Sequence, residues 1–248
     1  MENKTKNHDY IFGIHTVLEA LKSGQSIDKI QVAGNIQNPH VPEIFKLAKE
    51  RNVYIQKVPP DKINRITKKN HQGIVAWISP VAFCKIEDVL PGIYEKGEDP
   101  FILVLDGVTD VRNFGAIVRT AECAGVHAII IPDKGAARIN ADAMKTSAGA
   151  LNRVDVCKVN VLSGTVKFLK NSGLKVLALT EKADALLFET SLAGPLALVL
   201  GSEEKGISAQ VMKHVDAIVK LPMKGKITSL NVSVASGIAM YEALRQQK

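Results

Sequence analysis

From Phe101 onward the sequence alternates short apolar runs with segments of helical periodicity, and no other feature restricts the fold as strongly. Phe101–Val108 reads FILVLDGV, His127–Ile131 HAIII, Val176–Leu179 VLAL and Leu196–Leu200 LALVL. Within each run the apolar residues are nearly continuous, the pattern of a strand buried on both faces. Helical segments are expected between them, over Asn113–Cys123 and near Val166–Leu169. Buried strands separated by helices imply an α/β fold, a parallel sheet with helices on both faces.

A sheet of this kind binds ligands beyond the carboxyl ends of its strands. The dinucleotide fingerprint G-x-G-x-x-G does not follow the first strand. The glycines gather late instead, at Gly201, Gly206 and Gly225, so the ligand site is expected in the C-terminal half. There a strand-like run, Asp216–Met223, empties into the segment LPMKGKITSLNVSVASG, Leu221 to Gly237. Asn231 is placed to cap a helix whose Val232, Ala235, Ser236 and Ala239 form a small-residue face. Gly201-Ser-Glu-Glu-Lys-Gly206-Ile-Ser208 has the glycine spacing of a phosphate-binding loop, but Ile207 stands where the lysine is required. Glu203 and Glu204 would also repel a phosphate. Nucleotide triphosphate chemistry is excluded on both grounds, whereas the carboxylates suit a sulfonium or a basic group.

The first 80 residues have a different texture. Helical spacing over 11–23, a strand over Ile27–Val32, a helix after Pro42 and strands over Val53–Val58 and Ile74–Ile78 predict a small αβαβ domain. This third of the chain holds 12 Lys/Arg against 7 Asp/Glu, a net +5, while the rest nets +2. A basic excess confined to one small domain suits phosphate contacts to nucleic acid, or serves solubility alone. Residues 81–100, with Pro91-Gly92 and the run Glu95-Lys-Gly-Glu-Asp-Pro100, read as a linker with one short helical segment. No apolar run reaches the roughly 18 residues of a membrane helix, and the N-terminus lacks a signal-peptide core, so a cytoplasmic protein without a membrane partner is expected. Cys84, Cys123 and Cys157 lie at no metal-ligand spacing and read as reduced structural thiols; no metal site is expected.

Three segments, in this order, resemble the SpoU (TrmH-like) family of RNA ribose 2'-O-methyltransferases. They are Asn113-Phe-Gly-Ala-Ile-Val-Arg119-Thr-Ala, Leu198-Val-Leu-Gly-Ser-Glu203-Glu-Lys-Gly206-Ile, and Leu221–Gly237. The likeness runs from about Phe101 to the C-terminus. A further match, Tyr10-Ile-Phe-Gly-Ile-His15 with His71-Gln-Gly-Ile-Val75, is similar to the small RNA substrate-binding domain that precedes it in the branch acting on large-subunit ribosomal RNA. The implied organisation is an RNA-binding domain over 1–80, a linker over 81–100 and a methyltransferase domain over 101–248.

The resemblance implies a C-terminal trefoil knot whose loops bind S-adenosyl-L-methionine, and a homodimer packed through the last helix. Gly201, Leu221 and Leu230 are the implied cofactor contacts, largely through backbone, although both leucines also read as plain core. Arg119, Asn113, Glu203, Ser229 and Asn231 are the implied catalytic group. Asn113 and Arg119 are six positions apart and would meet only if Asn113 is the helix cap; Glu203 is the expected partner of Arg119. Arg119 serves either as the base that activates the ribose hydroxyl or as a clamp on the neighbouring phosphate, the first requiring an unusual site because Arg stays protonated. His15 reads as half-buried, Trp77 as core or as a stacking surface for an unpaired base, and the His71 loop as a candidate RNA contact. The implied activity is methyl transfer to a ribose in ribosomal RNA, a guanosine of 23S rRNA first. Transfer RNA, an adenosine in ribosomal RNA, or a non-catalytic assembly role are the alternatives.

Overall fold

The computed structural model describes residues 10–247 except Asn52. The chain divides into two compact units, one of residues up to Ala82 with Ile139–Ala141, the other of Phe83–Arg138 with Asp142–Lys248.

The first unit contains β1 (Tyr10–Phe12), α1 (Ile14–Ser23), β2 (Ile27–Ala33), α2 (Val41–Glu50), β3 (Tyr54–Val58), α3 (Pro60–Ile66) and β4 (Ile74–Ile78). Its sheet runs β1-β4-β2-β3, with β4 antiparallel to both neighbours and β2 parallel to β3. Helices α1 and α2 bury Val17, Leu21, Ile44 and Ala48 against Ile30, Ile74 and Ala76 on one face. Helix α3 sets Ile63 against Ala33, Val58 and Val75 on the other. The sequence reading missed β1 and α3, which are only three and seven residues long. A strand of three residues is too short to show an alternation.

The loop before β4 is fastened to the domain itself. Gly13 offers no side chain to cap α1, and Gln72 Oε1 accepts from the Ile14 N–H at 3.0 Å. That bond holds Gln72 at φ 51, a left-handed conformation costly for a non-glycine residue. The Gly73 N–H donates to His71 Nδ1, so the proton sits on Nε2, which donates to Asn64 Oδ1 at 2.8 Å. Both side chains of the expected RNA-contact loop are thus engaged internally. His15 is exposed rather than half-buried, with its ring 4.9 Å from that of His40.

The second unit contains β5 (Phe83–Cys84), α4 (Ile86–Glu95), β6 (Phe101–Asp106), α5 (Val111–Cys123), β7 (Ala128–Pro132), α6 (Ala141–Thr146), β8 (Asp155–Val159), α7 (Leu162–Asn171), β9 (Lys175–Leu179), β10 (Ala185–Leu186), β11 (Leu196–Gly201), α8 (Ala209–Met212), β12 (Ala217–Lys220) and α9 (Val232–Gln246). Its eight strands, ordered β10-β12-β9-β11-β6-β7-β8-β5, are all parallel. Phe101–Val104 and Leu196–Val199 at its centre are fully buried, as their continuous apolar runs require. Ile102, Val104, Val176 and Val199 meet α4, α7 and α8 on one face. Helices α5 and α9 pack together against the opposite one, where α9 meets β11.

Within the linker expected over 81–100, the one short helical segment is α4, and β5 adds a strand to the sheet. Phe83 and Cys84 pair with Val156 and Cys157 as the sheet's edge strand, and α4 buries Ile86, Leu90 and Ile93. Pro91 lies inside that helix. Its cost of about 3 kcal/mol is outweighed by burying three large aliphatic side chains at roughly 1.5–3 kcal/mol each. Pro91-Gly92 therefore signals a turn in the sequence that the core overrides. Among the described residues no helix is long and apolar enough to cross a membrane, and no group of three or more His, Cys, Asp or Glu could hold a metal ion.

Candidate active site

Loops leaving the carboxyl ends of β6, β9, β11 and β12 converge on one region, as a parallel sheet dictates. The loop after β11 is the most constrained of them. Ser202 and Gly206 pair as an isolated antiparallel bridge, and the Gly206 N–H donates to the Ser202 carbonyl at 2.9 Å. A Cβ built on Gly201 would lie 2.1 Å from the Gly206 carbonyl carbon and 2.4 Å from both Gly206 O and Ile207 N. Gly201 is therefore required by the chain's own backbone as the loop folds back over the strand. The sequence had suggested instead a close approach to ligand.

Glu203, presented by this loop, joins three elements. Its Oε1 accepts from Asn231 Nδ2 at 2.6 Å, from the Val232 N–H at 3.2 Å and from Asn113 Nδ2 at 3.3 Å. Asn231 Nδ2 also donates to Asn113 Oδ1 at 3.0 Å. A carboxylate at the N-terminus of α9 complements that helix's unsatisfied N–H groups and its dipole. Asn231 caps α9 as anticipated, its Oδ1 accepting from the Ser233 N–H at 2.9 Å.

Two expectations are corrected here. Asn113 is not the cap of α5. Asp110 holds that position, its Oδ1 accepting from the Asn113 N–H at 2.8 Å. Asn113 thus sits in the first turn, and its side chain is free to turn toward Glu203. Nor does Glu203 hold Arg119. Arg119 is exposed on α5 and has no ion-pair partner among the described residues, and the Glu203 carboxylate is taken by the amides of Asn113 and Asn231. Its apolar neighbours in sequence, Ile117 and Val118, face the core while it faces away.

Two cavities adjoin the junction. The first, of about 340 Å³, is lined by Gly201, Leu221, Ser229 and Leu230, with Leu179–Lys182 and Ala235 completing its walls. The second, of about 540 Å³, is lined by Asp106–Asp110, Asn113, Gly135 and Ser208. Ser202–Gly206 and Val232 line both and form their common wall. The sequence-derived residues Gly201, Leu221, Ser229 and Leu230 thus share one cavity, and Asn113 and Asn231 meet Glu203 beside it. Arg119 lines neither. Leu221 is half-buried and Leu230 is 38% exposed, so neither is plain core.

Asp106, Asp110 and the Thr180–Lys182 turn were not foreseen. Asp106 Oδ2 accepts from the Ser208 N–H at 2.7 Å and fastens the far end of the β11 loop, a pairing 102 residues apart that no local pattern announces. Asp110 carried a readable signal, an Asp directly ahead of a helical segment.

Both parts of the chain have counterparts among known proteins. Residues 100–241 match the SpoU rRNA Methylase family, and residues 10–84 match the family described as RNA 2'-O ribose methyltransferase substrate binding. The chain is 37% identical over 243 residues to YacO of Bacillus subtilis, named as a TrmH-family tRNA/rRNA methyltransferase, covering 98% of each protein. It is 36% identical over 241 residues to the 23S rRNA (guanosine-2'-O-)-methyltransferase RlmB of Photorhabdus laumondii, covering 96% of this chain and 98% of that one. Among solved structures, the AdoMet-bound SpoU methyltransferase AviRb of Streptomyces viridochromogenes matches in fold with a TM-score of 0.60 at 20% identity, covering 98% of this chain and 94% of that one.

Proposed function

The chain belongs to the SpoU family of RNA methylases, and from that premise we propose that it transfers a methyl group from S-adenosylmethionine to a ribose 2'-hydroxyl of ribosomal RNA, a guanosine of 23S rRNA first. The observation that carries this reading is the Glu203–Asn113–Asn231 junction on the common wall of two cavities. Methyl transfer needs a donor and an acceptor brought together at one point.

The first cavity suits the methyl donor. Its apolar Leu221 and Leu230 and its loop backbone fit an adenine ring with a polar edge, and Glu203 and Glu204 fit a cation where they would repel a phosphate. When bound, S-adenosylmethionine supplies an electrophilic methyl group on a sulfonium. The target ribose enters from the second cavity, where Asn113 and Glu203 stand at the wall. Their hydrogen bonds fix the wall, so the nucleotide is oriented by a rigid surface. Ser229 adds a neutral hydroxyl on the donor side. Arg119, exposed and without an ion-pair partner among the described residues, is assigned to a phosphate of the substrate; with no desolvating pocket around it, the clamp role is favoured over the base role.

Guanosine in 23S rRNA as target draws on the RlmB relative, whose name states that activity. Ribosomal RNA as substrate also places the protein in the cytoplasm. Helix α9 exposes Val234, Ile238, Tyr241 and Leu244 along one side, an apolar stripe that serves homodimerisation. The trefoil knot that the resemblance implies belongs to the same reading. Mapping ribose methylation by primer extension in a strain lacking the gene tests the assignment. Loss of one 2'-O-methyl stop in 23S rRNA supports it, and loss of a stop in a transfer RNA moves the activity to that substrate.

A further inference from the structure

The basic excess of the first unit is gathered on one side of it. Over residues 10–80, ten Lys and Arg stand against five Asp and Glu. Lys57, Lys62, Arg65, Lys68 and Lys69, with Asp61 the one carboxylate among them, account for four of that net five. All five cations are exposed, and none has an ion-pair partner among the described residues. The opposite face mixes its charges instead. There α1 and α2 pair Lys22 with Glu43 at 2.9 Å and Lys46 with Glu50 at 4.0 Å.

The fold lays these residues in a line. Lys57 stands on β3, one edge of the sheet, and α3 with the turn after it crosses the sheet to β1 at the other edge. On the way Ile63 packs with Ala33, Val58 and Val75, and the Ile66 carbonyl accepts from the Tyr10 hydroxyl at 3.1 Å. The crossing ends where the Lys69 ammonium lies 5.9 Å from the centroid of the Phe12 ring. Spanning four strands, it is about 14 Å long, the axial length of roughly four nucleotides of a stacked strand. The backbone beneath the cations is fixed. Ile63 is fully buried, and Thr67 is buried with its hydroxyl accepting from the Lys69 N–H at 3.3 Å. Asn64, between Lys62 and Arg65, is tied to His71 Nε2 at 2.8 Å.

Like charges gathered on one face without counter-charges work against the compact state, and solubility alone does not require it, since the same charges spread evenly would serve. A partner with regularly spaced negative charge relieves the repulsion. RNA phosphates have that spacing, and their neutralisation by Lys and Arg releases condensed counterions. Contacts of this kind position a nucleic acid and carry no sequence information. We propose that the strip from Lys57 to Lys69 is the surface on which the first unit grips its RNA, through the phosphate chain and without reading sequence. The proposal rests on the reading of the protein as an RNA-modifying enzyme and names the face that holds the substrate.

Two variants of the full-length protein, each losing four positive charges, separate a local grip from net charge. One carries Lys62→Gln, Arg65→Gln, Lys68→Gln and Lys69→Gln on the strip. The other carries Lys22→Gln, Lys46→Gln, Lys49→Gln and Arg51→Gln on the α1 and α2 side. Affinity for a labelled single-stranded oligoribonucleotide of about twelve nucleotides is measured from about 50 to 200 mM salt. The strip variant should bind about a hundredfold more weakly at the low end, and its slope of log affinity against log salt should be shallower by about 3. The other variant should stay within about threefold of wild type, with its slope unchanged. Equal losses in the two variants, or a strip variant within about threefold of wild type, overturns the proposal. Trp77, the only tryptophan in the chain, reports folding of the first unit by its emission. Where the fourfold strip variant is unfolded, Lys62→Gln and Lys68→Gln singly decide, each expected to reduce the slope by about 0.7 and each contradicting the proposal if it does not. Methyl transfer from S-adenosylmethionine with an unchanged salt slope in the strip variant would refute the strip alone. RNA held through the strip by a protein that binds no S-adenosylmethionine would refute the methyltransferase reading and leave the strip standing.

Discussion

Gly201→Ala is the smallest change that should disturb the whole site. The added methyl carbon would stand 2.1 Å from the Gly206 carbonyl carbon, far inside any van der Waals separation, and the clashing atoms are backbone that cannot rotate away. The β11 loop must lift by about an ångström or more to admit it. Lifting opens the Ser202–Gly206 bridge and draws Glu203 from the three N–H donors it holds. Overpacking of this kind costs about 1–3 kcal/mol, and weakening the exposed Glu203 bonds adds roughly 1 kcal/mol. For a unit of this size a loss of about 2–4 kcal/mol lowers Tm by about 4–16 °C. Because the same loop walls both cavities, S-adenosylmethionine affinity should fall about tenfold or more even where the protein is fully folded. Circular dichroism melting and calorimetry at a temperature well below the transition separate the two effects. A Gly201→Ala protein with wild-type Tm and wild-type affinity would refute the argument that backbone crowding dictates this glycine.

Other expectations follow from the same geometry. Arg119→Ala should abolish most methyl transfer while leaving Tm and S-adenosylmethionine affinity within about 0.5 kcal/mol of wild type, since the side chain is exposed and has no ion-pair partner among the described residues; near-normal turnover would remove it from the mechanism. Arg119→Lys should recover little, because a point charge does not replace a planar fork on phosphate. Hydrogen bonds from Arg245 Nε and Nη2, then from Gln246, hold the Glu242 carboxyl down to about 2 from its ordinary 4.5. Its contribution to stability is therefore complete above about pH 4.5 and is lost as pH falls through about 2. The Tm gap between wild type and Glu242→Gln should be constant above about pH 5 and close toward pH 2; a gap that widens in acid contradicts this. Burial, with Cys84 beside it, pushes the Cys157 thiol up to about 12, whereas Cys123 is exposed. Disulfide-reagent titration at neutral pH should find Cys123 reactive and Cys157 silent until the protein unfolds, and equal rates would contradict the packing of β8.

What could be read in the sequence was whatever repeats locally. The central strands announced themselves because burial on both faces leaves an unbroken apolar run, as in Phe101–Leu105. Asn231 was legible as a cap because capping is decided within three residues. The last two strands on one side of the sheet were not legible: β8 reads DVCKV and the edge strand β5 is two residues long, and neither repeats enough to rise above its surroundings. Helix α4 was legible only as one short helical segment of a linker, because Pro91-Gly92 is a turn signal that tertiary burial of Ile86, Leu90 and Ile93 reverses. In the site, the motif residues were found but their partners were not. Glu203 was assigned to Arg119 by charge. The fold instead gives it Asn113, 90 residues away, and Asn231, 28 residues away. Gly201 was read as a backbone contact to the cofactor, and only the folded loop shows that the obstacle to a side chain there is Gly206.

The most direct test of the account is transfer of labelled methyl from S-adenosylmethionine to unmodified 23S rRNA by the purified full-length protein, followed by alkaline hydrolysis. Alkaline cleavage requires a free 2'-hydroxyl, so a 2'-O-methyl group leaves the adjoining linkage uncut. The account predicts label in an alkali-resistant dinucleotide whose 5' residue is guanosine, with none from an Arg119→Ala protein. Label released as a mononucleotide would place the methyl on a base, and no transfer at all from a protein that binds the cofactor would make it a binding factor. Either result would contradict ribose methylation as the function of this site.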